Sequence, residues 1–412
     1  MAVPIPLAAR TPGSLRRRLA LLLFGEYLVW GTWFVSLGSW LGATLQFSGT
    51  QIGAIYGSLA IAGLVTPLLG GVIADRFARA ERMLALLHGI GGVVLLVAAR
   101  QTSFATIYTA VLVYAFCYLP TLALVPSLAL RHLARPSAEY PGLRALGTAG
   151  WIVGGLLIGS LGIELTATPI RIAGMMSLLF AVYCLTLPAT PPLHANAPRS
   201  LNALLGLDTL ALLKDPMFAL FLLANVALCI PNQFYTAFGA LYLTDLHIPR
   251  PATLLTVGQM TEILVLLFLP RLTMRLGARG VLLTGAGAWA IRSVLFSFGS
   301  GTNVAVIYAG ILLHGFAYGC AYIAGQVVVN ERAPAHLRSA AQGVWAVATV
   351  GVGNLLGTWT AGSAVQHYSS ATGVRDWSGI WVVSGIVSMA TLIGVLLSRR
   401  IDDSAPIHVA ES

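Results

Sequence analysis

The chain has 412 residues, of which 57% are hydrophobic and only 9% charged, and its mean hydropathy is +0.83. Soluble domains carry roughly a quarter of charged residues, so this composition excludes an ordinary soluble domain and implies a polytopic membrane protein. The formal charge of +10 does not point to nucleic acid, because the basic residues lie between apolar runs and mostly on one side.

Apolar runs of about twenty residues, each able to cross about 30 Å of hydrocarbon as a helix, recur from Leu19 to Ser398. They predict twelve spans at 19–41, 51–74, 83–99, 105–130, 143–163, 168–188, 216–244, 252–274, 280–299, 303–330, 338–364 and 379–398. Lipid offers no partner for backbone polar groups, so the spans must be helical. Arg10 and Arg16 to Arg18 precede the first span, and Arg76, Arg79 and Arg82 follow the second. Basic residues continue after every even-numbered span: Arg131, Arg199, Lys214, Arg271, Arg275, Arg332, Arg338, Arg399 and Arg400. The alternate loops hold little beyond Arg100, Arg171, Arg250 and Arg375, and the positive-inside rule then puts both termini in the cytoplasm. The N-terminal run lacks an A-x-A-like cleavage site and reads as a retained first span. Cys117, Cys184, Cys229 and Cys320 fall inside spans at spacings that fit neither a metal site nor a disulfide framework.

The longest connection, Ala189 to Asp215, opens with TPPLHANAP and continues as SLNALLGLDTLALLK, a pattern for a short helix lying on the cytoplasmic interface. It divides the chain into a six-helix bundle at 1–188, a central cytoplasmic loop at 189–215, and a second bundle with a short tail at 216–412. LRALGTAGWIVGGLLIG from Leu143 resembles LRSAAQGVWAVATVGVG from Leu337, and YAFCYLP at Tyr114 resembles HGFAYGC at His314, both at an offset near two hundred residues. Two repeated six-helix halves meeting at a midplane cavity are the major facilitator architecture. GGVIADRFARAER resembles that superfamily's G-x-x-x-D-R-x-x-R signature, in which Gly71, Asp75, Arg76 and Arg79 would form a cytoplasmic gate. A routine basic loop is the alternative.

Ionisable residues at membrane depth face a cavity or a partner. Glu26, Arg144, Glu262 and Arg292 are the candidates. Gln259 and Glu262 share one helix face, as do Arg144, Thr148 and Trp151 at i, i+4 and i+7. An amide, a carboxylate, a cation, a hydroxyl and an aromatic plate suit a polar ligand with a flat ring. The alternatives are an interhelical pair of Glu262 with Arg144 or Arg292, and an Arg144 that snorkels to the interface. Pro231 is expected to break the seventh span and free backbone groups near Asn232, Gln233 and Thr236. Glu26, Trp30 and Trp33 make another one-sided face, which packing or interface anchoring would also explain. His88 and His314 are isolated in sequence and read as packed or hydrogen-bonded residues rather than ligands. No H-E-x-x-H, P-loop or G-x-S-x-G occurs, so the chain is not read as an enzyme and no cofactor or metal is expected.

Over nearly its full length the chain resembles the nucleoside:proton symporter family of the major facilitator superfamily. The resemblance rests on LVWGTWFVSLGSWL, QIGAIYGSLAIAG, YLPTLALVPSLAL, LRALGTAGW, LLGLDTLALLKDPMFALF, QMTEILVLLFLP and HGFAYGCAYIAGQVVVNERAPAHLRSAAQG. It implies a monomeric importer of nucleosides in a bacterial inner membrane, driven by protons, with Arg144, Thr148, Trp151, Gln233, Thr236, Gln259, Glu262 and Tyr318 around the substrate. Two departures matter: Gly319 stands where the family commonly has an acid, and Thr236 where some relatives carry Asn. With that acid missing, proton coupling is expected at Glu262 or Glu26, since a symporter needs a group that binds and releases a proton. An uncoupled nucleoside facilitator, an exporter of lipophilic or drug-like solutes, and a membrane sensor that binds without transporting are the competing readings.

Overall fold

The computed structural model describes residues 10–76, 79–191, 213–333 and 338–398. The first half comprises α1 (Gly13–Phe34, carried on by a π-helical turn to Thr44), α2 (Gly49–Arg76), α3 (Ala80–Ala98), α4 (Phe104–His132), α5 (Pro136–Leu161) and α6 (Thr168–Cys184). The second comprises α7 (Pro216–Asp245), α8 (251–276), α9 (278–297), α10 (304–332), α11 (338–367) and α12 (Trp377–Leu397). Nine helices among the described residues are long and apolar enough to cross a membrane. The expected count of twelve also takes in the 17-residue α6, the separation of α8 from α9, and α11.

The helix ends follow from local chemistry. Ser103 accepts from the Thr106 N–H ahead of α4, and Asp215 accepts from Met217 and Phe218 just before Pro216 at the first position of α7. Gly277 divides α8 from α9 with φ 64° and ψ −179°, a conformation that L-residues with a Cβ avoid. One expectation is corrected here: α7 runs unbroken through Pro231. The proline removes one donor, but the rest of the ladder holds, with α7 packed on its neighbouring helices.

The outer surface is apolar, with Leu179, Phe268, Phe298, Trp359, Ile386 and Leu397 all exposed, while Glu26, His88, Gln233, Arg292 and His314 are buried. That inversion fits a lipid environment. The four cysteines are free and buried.

At the end away from the chain termini the halves are zipped together. Helix α2 packs on α11 and α5 on α8 at glycine contacts: a methyl at Gly53 would lie 2.5 Å from the Thr358 carbonyl oxygen, and one at Gly159 2.6 Å from the Thr253 amide nitrogen. Across the same end, Ser39 and Thr244 hydroxyls lie 3.0 Å apart, and Arg375, paired with Asp245 at 2.9 Å, donates to the Gly42 carbonyl at 3.3 Å. Ala252 N–H donates to Glu164 at 2.8 Å. Most of the 189–215 connection, including its expected interfacial helix, lies outside the described residues. So do the side chains of Gly71, Asp75 and Arg76 of the gate motif, although α2 is helical to Arg76; Arg79 is exposed.

Candidate functional site

Sealing one end leaves a cavity of about 1100 Å³ between the halves, counted with its open mouth. Helix α1 contributes Tyr27, Trp30 and Phe34, and α5 contributes Arg144, Thr148 and Trp151 from one face. Helix α7 contributes Asn232, Gln233, Tyr235 and Thr236, because its polar residues follow one another around the turn after Pro231. Gln259 and Glu262 come from α8, His314 and Tyr318 from α10, and Asn354 from α11. All eight residues singled out for ligand contact in the sequence therefore line one space.

The walls differ in character. Trp30 stands edge-on to Trp151 with ring centroids 5.1 Å apart, and Trp151 donates its indole N–H to Gln259 across the two halves. Elsewhere on the wall His314 and Tyr318 stack with centroids 5.6 Å apart, in a row that continues to Tyr235 at 5.0 Å and, beyond the cavity, to Tyr322 at 5.0 Å. Spacings of four residues on α10 produce this row. Such a row sets aromatic rings next to amides and hydroxyls.

Two interhelical pairs considered for Glu262 are not formed. Arg292 is buried with its guanidinium 3.4 Å from the Tyr235 ring centroid and Nη1 3.0 Å from His314 Nδ1. Arg144 is exposed, lies 4.7 Å from the Tyr27 ring centroid, and is the cation that acts electrostatically on Glu262 without forming an ion pair. Glu262 thus presents its carboxylate to the cavity. Gly319 begins a π-helical turn of α10, where an added Cβ would lie 3.3 Å from Val265. Val265 packs with Leu269, Val281, Cys320 and Ala324, surroundings in which an ionised acid would have no partner.

Glu26 lies outside the cavity, fully buried behind Trp30. Its Oε2 is 3.0 Å from His88 Nε2, and the Thr121 hydroxyl lies 2.5 Å from both its Oε1 and the Tyr118 carbonyl oxygen. His88 is therefore isolated in sequence only. Asn354 and Tyr235 also join the cavity without a sequence signal, whereas the i, i+4, i+8 spacing of His314, Tyr318 and Tyr322 was a signal available for the aromatic row.

Known proteins agree with this architecture. The nucleoside H+ symporter family model matches residues 14–403. The xanthosine permease of Escherichia coli (strain K12) is 35% identical over 388 residues, covering 90% of this chain and 92% of the relative. The nucleoside permease NupG of the same organism is 30% identical over 388 residues with the same coverage. A crystal structure of the nucleoside transporter NupG superposes with a TM-score of 0.85 at 28% identity, covering 93% of this chain and 98% of that one. The chain belongs to the nucleoside H+ symporter family and has the fold of a multi-pass major facilitator transporter.

Proposed function

We propose that the protein imports nucleosides with protons across a bacterial inner membrane, with both termini in the cytoplasm, working as a monomer in the lipid bilayer by alternating access. The halves are read as 1–188 and 216–412, joined by 189–215, and the closed end as the outward one. The observation that carries the reading is the cavity itself, where an aromatic row faces a set of amide, hydroxyl and carboxylate side chains. A nucleobase stacks on Trp151 and packs against the edge of Tyr318; Gln233, Gln259 and Thr236 hydrogen-bond its edge, and Glu262, Arg144 and Thr148 hold ribose hydroxyls. No covalent chemistry is involved. Glu262 and Glu26 are the candidate proton acceptors, and Gly71, Asp75, Arg76 and Arg79 the cytoplasmic gate.

Radiolabelled uridine uptake into proteoliposomes, with and without an inward proton gradient, tests this. Accumulation above equilibrium only with the gradient supports symport. Equilibration indifferent to the gradient would identify an uncoupled facilitator, the reading that Gly319 favours. Absence of uridine exchange would overturn the proposal.

A further inference from the structure

The strongest feature outside the cavity is the buried cluster in the first half. Ser177 Oγ is 2.9 Å from the His88 carbonyl oxygen, to which only the hydroxyl can donate, and 3.1 Å from His88 Nδ1. A hydroxyl has one proton. With that proton on the carbonyl, Nδ1 must carry a hydrogen and donate to Ser177. The remaining contact, His88 Nε2 to Glu26 Oε2 at 3.0 Å, then holds together only if a second proton lies between these two atoms. Without it, two lone pairs face each other.

If the cluster loses that proton, Ser177 must turn its hydroxyl to Nδ1 and abandon the carbonyl. A net negative charge then remains on a carboxylate with no exposure to solvent. The titratable groups around Glu26 are Tyr27 on its own helix, His88 on α3, Tyr114 and Tyr118 on α4, and Cys184 on α6. The charge that α5 brings near is Arg144, which sits over the Tyr27 ring. Apart from His88, whose second proton is the one at issue, none of them is a cation bonded to the carboxylate, so the arrangement of α1, α3, α4 and α6 seen here is matched to the protonated cluster.

The cluster is tied to the cavity wall. Tyr118 donates its hydroxyl to the Glu26 carbonyl at 2.8 Å and packs its ring on Trp30 at 5.4 Å. Trp30 meets Trp151, and Trp151 bonds Gln259 of the other half. A shift of α1 that relieves the deprotonated pair therefore moves the wall at the junction of the halves.

We infer that Glu26 and His88 together hold the transported proton, with Ser177 and Thr121 fixing their geometry, and that Glu262 serves the nucleoside. The inference rests on reading the central cavity as a nucleoside site. The test uses full-length protein in proteoliposomes, with two assays: uridine exchange at equal pH on both sides, and uridine accumulation under an inward proton gradient. Failure of exchange in the wild type would overturn the cavity reading and this inference with it, whereas a failure confined to accumulation bears on the cluster alone. Glu26→Gln keeps the hydrogen-bonding shape of a protonated carboxyl. It is expected to exchange uridine yet to lose accumulation at least tenfold, down to the equilibrium level. Accumulation by Glu26→Gln with a wild-type pH profile would overturn the inference. Ser177→Ala, a small change that should fold even if the first variant does not, removes the acceptor of Nδ1–H. It is expected to move the pH midpoint of accumulation toward acid by about half a unit or more, and an unmoved midpoint would equally overturn it.

Discussion

The indole N–H of Trp151 on α5 donates to the side-chain carbonyl of Gln259 on α8, a single bond between the halves at the inner end of their zipper. Beyond it, toward the sealed end, the same two helices touch at Gly155 with Thr256 and Gly159 with Thr253. The bond therefore joins the cavity wall to the closure. Gln259→Leu removes the acceptor, at a net loss of about 1 kcal/mol, and Trp151→Phe removes the donor. Each is expected to weaken uridine binding about fivefold. A double-mutant cycle in a binding assay should show that the two losses do not add. Full additivity would mean that the residues act on the ligand separately.

The glycines of the zipper make a steric prediction. At Gly53 an added methyl would lie 2.5 Å from a backbone oxygen of α11, an atom that cannot swing away as a side chain can. Overpacking of this kind costs about 1–3 kcal/mol. Gly53→Ala should thus disfavour the sealed state by roughly five- to hundredfold and hold the protein open at this end. Uridine uptake should fall at least fivefold, while a cysteine placed in the cavity at Thr236 becomes more reactive to an impermeant thiol reagent added outside. Unchanged labelling would show that the helices part by other means.

Glu262 faces the cavity with no hydrogen bond or ion pair of its own, although Gln259 one turn earlier is engaged by Trp151. A carboxylate placed so is available to accept from ribose hydroxyls, and such charged hydrogen bonds contribute about 1.5–3 kcal/mol. Glu262→Gln is expected to raise the half-saturation concentration for uridine roughly ten- to hundredfold. Against 2′,3′-dideoxyuridine, which lacks those hydroxyls, the variant and the wild type should differ little. An equal loss for both ligands would place Glu262 away from the ribose.

How much of this was legible in the sequence differs by level. The spans were readable because lipid demands long apolar runs, and most helices begin and end within a few residues of the runs that announced them, although α1 and α5 start at Gly13 and Pro136, ahead of the expected 19 and 143. The cavity faces were readable where one helix carried several polar residues in register, as with Arg144, Thr148 and Trp151, or Gln259 and Glu262. Partnerships between helices were not. Glu26 and His88 are 62 positions apart, and Ser177 a further 89, with no periodicity linking them. The course of α7 through Pro231 was misjudged because the rule for proline weighs one lost bond and a clash in water, while in a packed membrane interior the neighbouring helices hold the rod.

Glu164, in the loop after α5, makes the last prediction. Its carboxylate accepts the Ala252 N–H at the start of α8 and so spans the two halves at the sealed end. Burial raises its pKa above the ordinary carboxylate value, against the opposing effects of the Ala252 hydrogen bond and the Arg250 charge. On opening, the loop meets water and the pKa returns toward about 4.3. The sealed state then binds more protons than the open one, so acid favours sealing. Above the raised value both states are ionised and protonation contributes nothing. The gain develops as pH falls through that value and is complete below the ordinary one. Glu164→Gln, which keeps an acceptor for Ala252 but carries no charge, should behave as the acid form at every pH. Spin labels on Thr102→Cys and Thr302→Cys, one in each half at this end, would report the distance between them. In the wild type the short-distance population should grow on acidification, and in Glu164→Gln it should be high and flat. A wild-type pH response in the variant would assign the titration to another group.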